Sequence, residues 1–279
     1  MRRTTNIGLV LFLVLACSFA VWAGQRDVVV IRPGGPVVTQ DTQTQVTRLI
    51  QAIAQSAGWP TNSASARFFN AADPGLAFIK QSKPGFAFAS PGFFLKYRQE
   101  LKLRPLNQVV LRDGATSRYS IIVKLGAPAG LDSLRGKTLA GAPLAEPEFV
   151  QRIVLGNKLR LGTDVTIQAM SGLSALRKVS TGEVYAAVID ANERRAMAAL
   201  PFVGSLAVAY TSAPIPNIGM MAVGDNVAAA DIPLMQQACS GLCTSASGAP
   251  VCQTFEIVGF APLDENALNA LITQWEQSR

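Results

Sequence analysis

The sequence predicts an α/β protein whose sheets are mostly parallel and flanked by helices. Between residues 130 and 190, predicted strands and helices alternate with short connections, which is typical of a doubly wound sheet. The same alternation begins at residues 27–31, where a β-branched run precedes a glycine- and proline-rich loop and then an apolar pattern of helical spacing. The length of 279 residues allows one large lobe or two small ones.

The individual elements follow from local patterns along the chain. Strands are predicted at residues 27–31, 66–70, 85–89, 106–111 and 119–124, within 130–141 after a short helical turn, and at 164–169, 185–189, 206–210 and 218–223. Helices are predicted at 41–57, 74–81, after Pro91, at 148–157, from about residue 175 through Gly182, and at 231–243 and 264–275. The segment 212–217 is expected to be irregular, and both terminal helices are expected to pack on the first lobe.

The first 23 residues have the pattern of a secretion signal. Arg2 and Arg3 precede an apolar run at residues 7–20, and small residues before Gly24 offer a cleavage site. A membrane span is the competing interpretation, but the run is shorter than the roughly 20 apolar residues that a span needs. The sequence around Cys17 also resembles a lipobox, which would make Cys17 a lipid-anchored first residue, although Leu15 fits that pattern poorly. The chain is therefore predicted to be exported to the periplasm.

The composition of the chain argues against several classes of function. The chain has a net charge of +7, but its basic residues are spread among apolar ones rather than clustered with aromatic partners, so no nucleic acid partner is predicted. The absence of histidine removes the commonest general base and the most frequent ligand of catalytic zinc. We therefore expect no enzyme, no metal site and no cofactor. An enzyme that uses Glu146, Glu148 or Asp190 as acid or base remains the weaker alternative.

Three cysteines remain after removal of the signal segment. In an oxidising compartment two of them are expected to pair. A bond between Cys243 and Cys252 is favoured, with Cys239 packed inside, while a bond between Cys239 and Cys252 stays open as an alternative. No C-x-x-C spacing supports a metal site at these thiols.

Two stretches resemble a known family. Residues 132–138 read D-x-LRGK-T, and residues 175–190 read ALR-x-V-x-x-GE-x-x-AAV-x-D. They resemble the second lobe of type 2 periplasmic solute-binding proteins, in particular the phosphate, phosphite and phosphonate binders of ABC importers. This resemblance implies the two-lobed type 2 fold, with lobe 1 formed by residues 24–118 plus 213–279 and lobe 2 by 119–212, and with crossings at 118–120 and 211–214. It also implies a monomer that captures a small solute for an ABC permease in the inner membrane.

Candidate ligand contacts lie where strands lead into helices or crossings, because open α/β sheets bind ligands beyond the carboxyl ends of their strands. The candidates are Gly34, Gly35, Ser90, Tyr119, Ser120, Ser171 and Asp190. Ser90 matches the family's S-P-G turn, Tyr119 and Ser120 match its hinge motif, and an acid at the position of Asp190 contacts an amino group or the cleft in relatives. The alternatives are an ordinary turn at the glycines, hinge packing at Tyr119 and helix caps at Ser90 and Asp190.

One loop departs from the family pattern. Phosphate and phosphonate binders carry a hydroxyl-rich S-T-S-G loop before the first long helix of the second lobe, whereas residues 141–148 here contain no hydroxyl. Ala145, Glu146 and Glu148 stand at that helix N-terminus instead; the acids stabilise a helix start but repel a phosphate dianion. Leu173 also replaces a histidine that is frequent in the family. A periplasmic sensor or interaction protein with an altered pocket is therefore the alternative function.

Overall fold

The computed structural model describes residues 26–60 and 62–278, so the predicted secretion signal and Cys17 lie outside the described residues. Its strands are β1 (Val28–Ile31), β2 (Ala66–Phe69), β3 (Phe86–Ala89), β4 (Leu103–Pro105), β5 (Gln108–Leu111), β6 (Thr116–Ser117), β7 (Ser120–Lys124), β8 (Thr138–Gly141), β9 (Thr166–Ala169), β10 (Ala186–Ile189), β11 (Leu206–Thr211), β12 (Ile215–Pro216), β13 (Met220–Val223) and β14 (Ile257–Ala261). The helices are α1 (Gln40–Ser56), α2 (Ala72–Ser82), α3 (Pro91–Tyr97), α4 (Pro147–Phe149), α5 (Gly172–Thr181), α6 (Ala191–Met197), α7 (Asp231–Leu242), α8 (Ala249–Thr254) and α9 (Glu265–Gln277). Within the described residues, no helix is long and apolar enough to cross a membrane.

Lobe 1 is built around a five-stranded sheet with the order β2-β1-β3-β13-β4. The strand β1 pairs in parallel with β2 and β3, and only β13 runs against the others. Side chains of β1 alternate between two apolar clusters: Val28 and Val30 pack with α1, whereas Val29 and Ile31 pack with α2 and α3. This period of two buries both faces of the strand, as expected for a parallel sheet covered by helices.

Lobe 2 repeats this architecture around a sheet with the order β11-β7-β10-β8-β9. Here only β7 runs against the other four strands. The helix α5 covers one face through Ala175, Leu176 and Val179. Both sheets are therefore mostly parallel, and the predicted two-lobed α/β fold is confirmed.

The first long helix of lobe 2 differs from a regular α-helix. After α4 the chain continues as a π-helical segment, Val150–Val154. Three of its carbonyl oxygens accept side-chain hydrogen bonds: Gln274 donates to Arg152 and Ile153 at 3.2 and 3.4 Å, and the Tyr210 hydroxyl donates to Val154 at 3.1 Å. Such bonds satisfy carbonyls that the wider helical turn leaves exposed.

The two crossings between the lobes run side by side. The short strand β6 pairs with β12, so the segment 212–217 is less irregular than predicted. Next to this pair, the Tyr119 amide donates to Ser212 Oγ at 3.0 Å and the Ser212 amide donates to the Tyr119 carbonyl oxygen at 2.9 Å. These bonds lie where the crossings were predicted, while the exact division of the chain at 118/119 and 212/213 stays a prediction.

The C-terminal part of the chain contains two elements that the sequence analysis missed, α8 and β14. The strand β14 pairs with β5 in a separate two-stranded sheet. A disulfide joins Cys243 to Cys252, as favoured from the sequence, and Cys239 is buried and free. The helix α7 packs on α1, as expected. The helix α9 also contacts the π-helical segment of lobe 2, so the expectation that it packs on lobe 1 was incomplete.

Candidate functional site

The lobes meet at the ends of their parallel strands. Residues that follow β1 and β3 in lobe 1 contact residues that follow β8 and β10 in lobe 2. We call this region the interlobe cleft and define it by the residues Arg32, Gly34, Ser90, Tyr119, Ala142, Glu146 and Asp190. Four of these follow the carboxyl ends of strands β1, β3, β8 and β10, which is where open α/β sheets carry their ligand sites.

A hydrogen bond joins the lobes at the centre of the cleft. Ser90 caps α3, and its Oγ accepts a bond from the Phe93 amide at 3.1 Å. The same hydroxyl donates across the cleft to Glu146 Oε1 at 2.8 Å. A methyl group added at Gly92 would lie 2.6 Å from that carboxylate oxygen, so only glycine lets Glu146 come this close to the first turn of α3. The cap predicted at Ser90 is confirmed, and the hydroxyl has a second partner in lobe 2.

The environment of Glu146 favours its protonated form. Burial raises the pKa of this carboxyl group to about 7, while the bonds from Ser90 and the Phe93 amide and the charge of Lys96 act in the opposite direction. Burial has the largest effect because removing a carboxylate from water costs more free energy than the hydrogen bonds and the charge of Lys96 restore. Near neutral pH the carboxyl group is therefore divided between its two protonation states.

A second contact across the cleft involves Asp190. Its side chain accepts from the Glu193 amide at 2.8 Å while Glu193 accepts from the Asp190 amide at 3.0 Å, which forms a capping box on α6. Asp190 also pairs with Arg32 of lobe 1 at 3.3 Å. Burial, followed by the charge of Asp190, raises the pKa of Glu193 to about 7. Asp190 is thus both the helix cap and a cleft residue, the two roles considered from the sequence.

Tyr119 lies beside these carboxyl groups at the start of the crossing. Its ring packs edge-on against Phe149 of lobe 2, with 5.5 Å between the ring centroids. Burial raises the pKa of its phenol, and the charges of Asp190 and Glu146 act in the same direction, so Tyr119 stays a neutral hydrogen-bond donor. Ser120 next to it is 4% exposed and is the first residue of β7.

Backbone contact closes the side of the cleft next to Arg32. Gly34 has φ +75°, and a methyl group there would overlap the carbonyl oxygen of Ala142 in lobe 2 and approach Ala145. Farther from the centre of the cleft, Arg195 of α6 forms ion pairs with Asp113 and Glu256, which both belong to lobe 1. The distance between Arg195 and Glu256 is 3.1 Å. The lobes therefore touch directly through backbone, hydroxyl and charged groups.

The structure brings together five of the sequence-predicted residues: Gly34, Ser90, Tyr119, Glu146 and Asp190. Three others lie apart from these contacts. The Gly35 amide donates to the Arg32 carbonyl oxygen in an ordinary turn, Ser171 is an exposed cap of α5 that bonds Ser174, and Glu148 pairs with Arg152 at 2.8 Å. For all of the candidates, a contact with a ligand stays a prediction.

The sequence analysis missed Arg32, Glu193 and Phe149. Arg32 directly follows β1, so its position at the end of a strand was a signal that could have identified it. The D-x-x-E spacing of Asp190 and Glu193 is typical of a capping box and could have identified Glu193. For Phe149 no local signal existed, because its contact with Tyr119 joins two distant parts of the chain.

Other possible sites lie outside the cleft. One cavity of about 610 Å³ is lined by Val38, Phe69 and Phe78 beside β2, and one of about 210 Å³ lies beside the disulfide. In the described part of the chain, no group of three or more Asp, Glu, Cys or His side chains is placed to hold a metal ion.

The comparisons agree with this architecture. Residues 36–268 match the family described as the periplasmic substrate-binding protein of the phosphonate ABC transporter. The chain is therefore a member of this family of periplasmic solute-binding proteins. No curated protein matches its sequence.

Solved structures share the fold at low sequence identity. The Xanthomonas citri protein XAC2383 bound to ATP has a TM-score of 0.72 and 15% identity, over 91% of this chain and 98% of that one. A binding protein of a phosphonate transporter from Pseudomonas aeruginosa, PA3383, has a TM-score of 0.69 and 13% identity, over 91% and 88%. PhnD1 of Prochlorococcus marinus in complex with methylphosphonate has a TM-score of 0.63 and 10% identity, over 90% and 98%.

The raised pKa of Glu146 predicts a pH dependence of stability. Since the folded-state pKa is about 7 and the ordinary value is 4.5, folding carries no penalty from this group below about pH 4.5. The free energy of unfolding should fall by up to about 3 kcal/mol as the pH rises from 4.5 to 7, and it should then level off. Urea unfolding at pH 5 and pH 8 should show a smaller decrease for Glu146→Gln than for the wild type. An equal decrease in both proteins would contradict the assignment.

Proposed function

We propose that this chain is the exported solute-binding subunit of an ABC importer and that it captures its solute in the interlobe cleft. The observation that carries the proposal is the convergence of side chains from both lobes at the carboxyl ends of the two sheets, with Ser90 facing Glu146 and Arg32 facing Asp190. A solute that contacts both sets of residues stabilises the closed arrangement of the lobes. Differential affinity of this kind is what drives closure in two-lobed binding proteins.

Several features support this role. Tyr119 stands at the crossing between lobes and offers a neutral hydroxyl to the cleft. The N-terminal sequence predicts export to the periplasm, with Cys17 as an alternative lipid anchor. The chain would deliver its solute to a permease of the inner membrane as a monomer, without catalysis.

A second candidate function is a periplasmic sensor or interaction protein on the same scaffold. One observation favours it: the cleft is occupied by its own groups, since Glu146 bonds Ser90 and Gly34 abuts Ala142. A cleft that closes on itself has less need of a solute to hold the lobes together.

A thermal-shift screen of residues 24–279 tests the two functions. The panel contains methylphosphonate, phosphate, phosphite, sulfonates, ATP, amino acids and small cations. A solute at 100 times its dissociation constant adds about 2.7 kcal/mol to stability, which raises the melting temperature by a readily measured amount. A saturable shift with one class supports solute capture, and its absence with Ser90→Ala would place the solute in the cleft. No shift with any member would favour the sensor function.

A further inference from the structure

Glu146 holds the position in the cleft that an anionic ligand group would need. Its Oε1 takes the hydrogen bond of the Ser90 hydroxyl at 2.8 Å, and it lies close enough to α3 that only glycine fits at position 92. Ser90 already accepts a bond from the Phe93 amide, so its single proton is the only donor it has for a ligand. An oxyanion that needs this donor must therefore displace Glu146.

The negative charge of the cleft adds to this competition between Glu146 and a ligand oxyanion. Asp190 and Glu193 lie with Glu146 around Tyr119, and the cationic groups that act on these carboxyl groups are Arg32 and Lys96. Arg32 is already paired with Asp190, and its side chain is 54% exposed, so it neutralises Glu146 poorly. A phosphate or phosphonate dianion would enter beside three carboxyl groups without a hydroxyl-rich loop to hold it.

We propose that Glu146 is an internal occupant of the cleft, which takes the Ser90 hydroxyl in place of a ligand oxyanion and thereby determines which solutes bind. This inference rests on the proposed solute site between the lobes. In the wild type, the cleft disfavours dianionic phosphonates and phosphate. It favours a solute that presents a hydrogen-bond donor to Glu146, because such a group can keep the Glu146 carboxylate in place as its acceptor.

The test compares Glu146→Ala and Glu146→Gln with the wild type. Both variants should fold, since each removes a buried carboxylate. Calorimetric titration at pH 8 with methylphosphonate, and separately with inorganic phosphate, should show at least tenfold tighter binding in the variants than in the wild type. The effect should be larger for Glu146→Ala, which also frees the Ser90 hydroxyl.

Glu148→Ala is the matched control, because Glu148 lies two residues away and pairs with Arg152 rather than Ser90. Its affinity for both probes should equal that of the wild type. Measurable binding with equal affinity in all four proteins would overturn the inference.

A measurement without any solute separates this inference from the proposed function. In the wild type Glu146 covers the first turn of α3, so amide hydrogen exchange in a peptide spanning residues 90–95 should be several-fold faster in Glu146→Ala than in the wild type or Glu148→Ala. Unchanged exchange would overturn the inference. Faster exchange without binding of either oxyanion would support the internal occupant and count against the proposed function alone.

Discussion

Replacing Gly34 by alanine is expected to keep the lobes apart. The new methyl group would overlap the carbonyl oxygen of Ala142 across the cleft, and backbone at such a contact can yield only if one loop moves. The solute found in the thermal-shift screen should therefore bind at least about 100-fold more weakly, which corresponds to about 2.7 kcal/mol. Calorimetric titration measures the affinity, and small-angle scattering should show a larger radius of gyration for the variant.

Gly126→Ala separates this clash from backbone strain. Gly34 and Gly126 both have positive φ, +75° and +87°, so alanine is strained by about 1–2 kcal/mol at either position. A methyl group at Gly126 meets no atom within 4 Å, and this variant should keep the affinity and the scattering profile of the wild type. If both variants lost affinity equally, strain rather than contact between lobes would be responsible.

Replacing Arg26 by alanine is expected to destabilise lobe 1 strongly. Arg26 donates two hydrogen bonds of 3.0 Å to Asp231, whose side chain is only 5% exposed, and its guanidinium lies 5.0 Å from the ring centroid of Trp59. Removing the arginine leaves a buried carboxylate without its partner at the start of α7. The free energy of unfolding, measured in urea, should fall by about 3–5 kcal/mol.

Two further variants test the cause of this loss. Arg26→Ala combined with Asp231→Asn should recover part of the stability, because the buried charge is gone. Asp225→Ala removes an ion pair with Lys102 whose side chains are 85% and 70% exposed, and should cost less than about 1 kcal/mol. If the free energy of unfolding of Arg26→Ala fell by less than about 1 kcal/mol, burial would add little to the strength of the ion pair between Arg26 and Asp231.

Much of the fold could be predicted because the strands and helices carry strong local patterns. Residues 28–31 are apolar without interruption, as expected for a strand buried on both faces, and α5 ends at Gly182 in the left-handed conformation that glycine favours. The missed strand β14 contains Gly259 and exposes Val258, so its periodicity is weak. The contact of α9 with lobe 2 depends on residues more than a hundred positions apart, such as Arg152 and Trp275, and no local pattern reports it.

The candidate site could be predicted only in part. Positions at strand ends identified Gly34, Ser90 and Asp190, because topology places such residues at one edge of a sheet. The role of Glu146 was harder to see. The sequence indicated that two acids replace a hydroxyl-rich loop, but not that Glu146 reaches across to Ser90 while Glu148 turns to Arg152. Which acid enters the cleft is decided by the path of the helix start, and this is a property of tertiary structure.

Hydrogen exchange with and without the solute from the screen tests most directly whether the interlobe cleft is the solute site. We predict that the solute slows exchange in both lobes together, in the segments around Ser90, Tyr119, Glu146 and Asp190. Protection confined to one lobe, to the cavity beside β2 or to the one beside the disulfide would contradict the account, because the solute would then bind without joining the two sheets.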